Sequence, residues 1–74
     1  MLVTGRRHRR RRAVTDFEAL LARERTAASH HDRRAAELAR DGRDSEAAWE
    51  RQLAAIARNL VAELETVLAR GQTA

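Results

Sequence analysis

One turn signal divides the sequence. Asp41-Gly42-Arg43-Asp44-Ser45 is the only cluster of turn-forming residues between the arginine-rich start and Gly71, and no proline occurs anywhere in the 74 residues. About 25 residues of helical periodicity lie on either side of it, and helices that long joined by so short a turn fold back antiparallel. Composition points the same way: Ala 16, Arg 15, Leu 8 and Glu 7 are the commonest residues, a helical or coiled-coil mixture. A β-sandwich or an α/β enzyme is excluded. The absence of cysteine excludes disulfides and cysteine-based metal sites.

The first helix is expected over about residues 16–41. Thr15-Asp16-Phe17-Glu18 spells a capping box at its start, with Val14 at the staple position. Phe17, Leu20, Leu21, Ala28, Ala35 and Leu38 follow the helical period as a weak apolar stripe, interrupted by Glu24 and His31. Gly42 ends it as a left-handed cap, with Arg40 beside the negative helix terminus.

The second helix is expected over about residues 45–70, capped by Asp44 or Ser45 and ended by Gly71. Its stripe is richer: Trp49, Leu53, Ile56, Leu60, Leu64, Val67 and Leu68, widened by Val61. Residue numbers summing to about 88 set the expected register, with Ala35 opposite Leu53, Ala28 opposite Leu60, Glu24 opposite Leu64 and Leu21 opposite Val67. Small residues would then face large ones. Val61 and Leu68 lie beside the stripe and need another surface, so the hairpin is expected to dimerise into a four-helix bundle. The expected oligomer interface is Trp49, Leu53, Ile56, Leu60, Val61, Leu64, Val67 and Leu68.

The stretch from Leu38 to Ala47, with its Leu-x3-Gly-Arg-x2-Glu-Ala pattern, resembles the inter-helix turn of a tetratricopeptide-type unit. No second repeat follows it and the helices are too long for such a unit. The resemblance therefore implies a helical hairpin and nothing more.

Charge is unevenly distributed. Residues 1–14 hold six arginines and no acid, whereas residues 15–74 hold nine arginines against eleven acids. The division suggests a basic arm, 1–14, disordered when unbound, and a hairpin, 15–74. Arg6, Arg7, Arg9, Arg10, Arg11 and Arg12 are the candidate nucleic-acid-binding residues, because the guanidinium fork suits phosphate. Codon bias toward arginine and a merely solubilising tail are the competing explanations. No apolar stretch follows the arginines, so an export signal is not expected.

Other chemistry has weak support. Ser29-His30-His31-Asp32 gathers the residue types of a hydrolytic triad, but consecutive helical residues point about 100° apart and cannot converge. Glu24 and His31 share a face without the Glu-x-x-His spacing of bundle metal sites, so they are expected to form a polar layer that fixes register. Trp49 is expected to cap the core near Leu38, and Glu46 and Glu50 to lie on a solvated face. These residues predict a non-enzymatic, cofactor-free, soluble or peripheral protein, placed in the cytoplasm. Its expected role is to associate with the phosphate backbone of DNA or RNA as an accessory or regulatory factor. The rival is a protein–protein interaction module whose second helix receives a partner's helix.

Overall fold

The computed structural model describes the backbone of residues 2–73 and the side chains of residues 13–71. Two helices, α1 (Leu2–Arg40) and α2 (Asp44–Thr73), pack against each other as a hairpin, and no strand occurs among the described residues. The particle measures 61 × 18 × 12 Å. α1 has 39 residues and α2 has 30, so α1 outruns its partner by nine residues, about 13 Å at 1.5 Å per residue, at the end remote from the turn.

The turn forms where the sequence places it. Gly42 adopts φ 76°, in the left-handed region where glycine bears no Cβ penalty. The Arg43 amide donates to the Leu38 carbonyl at 2.9 Å and the Gly42 amide to the Ala39 carbonyl at 3.1 Å. This paired pattern is a Schellman cap, which satisfies carbonyls that the helix end would otherwise leave unpaired. The start of α2 differs by a residue from expectation. Ala47 donates to the Arg43 carbonyl at 3.0 Å, which puts Arg43 in the cap position in place of Asp44 or Ser45. The Arg43 guanidinium grips the Glu46 carboxylate through Nε at 3.0 Å and a terminal nitrogen at 2.5 Å. Asp44 and Glu46 stand in the first turn, where the helix dipole favours acids.

The start of α1 also differs. The helical backbone runs through the arginine run to Leu2, so Thr15 to Glu18 lie inside the helix and do not begin it. Extending a formed helix fixes one residue per added hydrogen bond, and arginine is a good helix former with no proline to stop it. The expectation of an arm disordered when unbound falls on residues whose side chains lie outside the described ones.

Packing between the helices is built on small residues. Buried are Leu21, Ala28, Ala35 and Leu38 of α1 and Ala47, Ala54, Ala57 and Leu64 of α2. With part-buried Glu24 and His31 on α1 and Glu50, Val61 and Leu68 on α2, they trace steps of three and four residues along each helix. The expected small-against-large arrangement is therefore corrected to alanine against alanine in the middle, which lets the helix axes come close. Leu53 and Leu60, expected opposite Ala35 and Ala28, are only part-buried beside this seam.

Candidate interaction surfaces

The inner seam divides the hairpin into two flanks of opposite character. In heptad terms Leu21, Ala28 and Ala35 are a positions of α1, and Ala47, Ala54, Val61 and Leu68 are a positions of α2. In an antiparallel pair the e positions of the two helices then meet on one side and the g positions on the other. The e flank is ionic: Arg25 donates to Glu65 at 2.8 Å, and Arg58 donates to Asp32. Residue numbers in both pairs sum to 90, while His31 and Glu50 sum to 81, which brackets the expected register.

The g flank is apolar along most of its length, with exposed Arg34 and Glu46 at its turn end. Leu20 and Ala27 of α1 and Leu53 and Leu60 of α2 are part-buried there, with Val67 exposed. Trp49 and Ile56 extend this surface outward along α2, each 60% exposed. The exposure of Trp49 corrects the sequence reading. Trp49 does not cap the core near Leu38, because the inner seam runs through Ala47 and Glu50 and turns Trp49 outward. Of the eight residues expected at an oligomer interface, Leu64 is buried within the hairpin and Val61 and Leu68 are part-buried on its seam. Trp49, Ile56 and Val67 are open, and Leu53 and Leu60 sit between.

One polar contact enters the seam. His31 Nδ1 lies 2.6 Å from Glu50 Oε2, with side chains 26% and 18% exposed. An ionised carboxylate only accepts hydrogen bonds, so Nδ1 carries the proton in this contact. Glu50 is thus not on a solvated face, and the polar layer runs across the two helices. Glu24 is part-buried on the same α1 seam, and His30 is exposed. The signal for this pairing was present in the sequence: a histidine and a glutamate each occupy an inward position of an otherwise small-residue stripe, at compatible distances from the turn.

Among the described residues no group of three His, Cys, Asp or Glu side chains is arranged to hold a metal, and no helix is long and apolar enough to cross a membrane. A shallow groove bordered by Ala62, Glu63, Thr66, Val67 and Arg70 is formed by α2 alone. Arg6, Arg7, Arg9, Arg10, Arg11 and Arg12 lie on the first turns of α1, and their side chains are outside the described ones. No protein-family model matches the chain, and no curated protein or solved structure matches it.

Proposed function

We propose that this protein is a small, non-enzymatic, nucleic-acid-associated accessory factor that binds phosphate backbone through Arg6, Arg7 and Arg9 to Arg12 and self-associates through α2. The observation that carries this reading is the segregation of charge. At least four of the nine arginines of the body pair with acids of the body, Arg25 with Glu65, Arg34 with Glu37, Arg43 with Glu46 and Arg58 with Asp32. Residues 1–14 contain no acid at all. Six arginines in seven positions concentrate positive charge, and a polyanion relieves their mutual repulsion. Six arginines in seven positions leave no stripe free of arginine, and no aromatic residue interleaves them, so contact is with phosphates and not with base edges.

Deleting residues 1–12 tests this. The truncated chain keeps Thr15-Asp16-Phe17-Glu18 as a ready helix start. Intact protein should bind duplex DNA or RNA with a logarithmic salt slope of about −5 per arm, and the truncated chain should lose that binding while remaining helical. Equal binding by both chains at moderate salt would refute the assignment. The open apolar flank supports a second reading, in which α2 receives a helix of another protein and the arm only solubilises or steers.

A further inference from the structure

The apolar flank runs the length of α2 as a second seam: Trp49, Leu53, Ile56, Leu60, Glu63 and Val67 follow one another at alternating steps of four and three residues. That is the spacing of a helix–helix seam, and it lies about 100° around α2 from the seam already filled by α1. We propose that its occupant is a second copy of this chain, seated antiparallel, with α2 against α2 and residue numbers summing to 116 across the interface.

Three observations select this occupant and this register. First, the seam is self-complementary when reversed. At 116, Trp49 of one copy meets Val67 of the other and Ile56 meets Leu60, each contact occurring twice by the two-fold axis, with Glu63 against Leu53 as the one mismatch. Second, the charges at its ends match. Glu46, held by Arg43 at 2.5 Å, comes opposite Arg70 of the second copy and gains a further guanidinium. Of the two antiparallel registers seven residues away, that summing to 123 places Arg70 on Leu53 and leaves Trp49 beyond the seam, and that summing to 109 sets Glu46 against Glu63, a like-charge contact. Third, the face is of the size of a small, weak interface. From Glu46 to Arg70 is about 36 Å of helix, and the hairpin is 18 Å across, so the flank offers at most about 650 Å² per copy, about 1,300 Å² for the pair, at the low end of the roughly 1,200–2,000 Å² that a specific interface buries.

The arrangement deepens the proposed function and rests on it in one respect. The two hairpins run in opposite directions, so their arginine segments project from opposite ends. Thr73 lies fifteen residues from the midpoint of the register, which separates the roots of the arms by about 45 Å. One dimer then grips a duplex at two places about 13 base pairs apart, and both arms contribute to a salt slope of about −10.

The single tryptophan reports on the interface directly. Sedimentation equilibrium and Trp49 emission across a concentration series, without nucleic acid, should show a monomer–dimer equilibrium in which emission shifts to the blue as mass doubles. Ile56→Arg should stay helical by circular dichroism and remain monomeric. Glu63→Leu, which removes the charge facing Leu53, should tighten the dimer by at least about tenfold. Because the chain has no cysteine, Ile56→Cys mixed with Leu60→Cys should form a disulfide-linked heterodimer faster than either variant forms a homodimer. Three results overturn the proposal: a monomer at every concentration even with Glu63→Leu, which would leave the face to a helix of a different protein; a dimer indifferent to Ile56→Arg; or faster linkage of each cysteine variant with itself, the mark of a parallel pair. None of these measurements involves the arm, so their failure leaves the nucleic-acid assignment standing. Loss of duplex binding would likewise leave the dimer standing.

Discussion

The inner and outer seams of α2 are offset by a single residue, yet they hold different side chains. Inside are Ala47, Ala54, Ala57 and Leu64; outside are Trp49, Ile56 and Val67. Hydrophobicity alone ranks the outer seam first, since a Trp or Ile buries far more apolar surface than an Ala. The smaller seam nevertheless faces α1. Its partner stripe on α1 is small and polar in the middle, through Ala28, Ala35 and His31, and close approach of two backbones recovers dispersion contacts that bulky side chains would hold apart. Within this hairpin, fit to the neighbouring helix outranks the amount of apolar surface each face carries.

The largest effects should come from breaking the inner seam. Leu64→Ala removes a buried side chain at 6% exposure and should cost about 2–5 kcal/mol in urea denaturation. Ala54→Leu, at a position with no exposure, should cost about 1–3 kcal/mol by overpacking. By contrast Ile56→Ala on the outer seam, measured in dilute solution, should lie within about 0.5 kcal/mol of the parent. Equal penalties at positions 54 and 56 would erase the distinction between the seams.

An intermediate effect is expected at the polar contact. His31→Leu strands the part-buried Glu50 carboxylate and should cost about 1–3 kcal/mol, whereas His31→Leu combined with Glu50→Leu should recover most of the loss. Thermal unfolding of the two singles and the double gives the coupling, and additive losses would mean the pair does not act as a unit. The smallest effect belongs to the ionic flank. Arg25→Gln breaks an exposed pair with Glu65 and should change stability by at most about 1 kcal/mol, with the difference disappearing in high salt.

Much of the fold was legible because its punctuation is local. Gly42 announces a left-handed cap, and the Schellman bonds around it follow from that one residue. The rotation of α2 was not legible from its hydrophobic stripe, because alanine counts as weakly apolar and the seam it forms is outweighed by the adjacent Trp, Leu and Ile positions. A better signal lay in the charges. Arg25 and Asp32 on one helix and Arg58 and Glu65 on the other are complementary only when the e positions face each other, and that arrangement turns Trp49 outward. The upstream boundary of α1 escaped because a capping box marks where a helix is able to start, while nothing in residues 2–14 compels it to stop. The candidate arginines were legible from composition alone, and the open flank was legible as a surplus of apolar residues, though not by its members.

That only one side of the hairpin is greasy has a consequence for how assemblies of it would grow. A copy docked on that side hides its own sticky strip in the same act, and what remains outward is the charged border carrying Arg25, Asp32, Arg58 and Glu65. For a third copy, Val14 and Phe17 toward the far end of α1 are the exposed large apolar groups left among the described residues. On the proposed pairing, raising the amount of protein would fill pairs before it lengthened filaments, a brake on fibre formation for a chain with uncovered aliphatic groups.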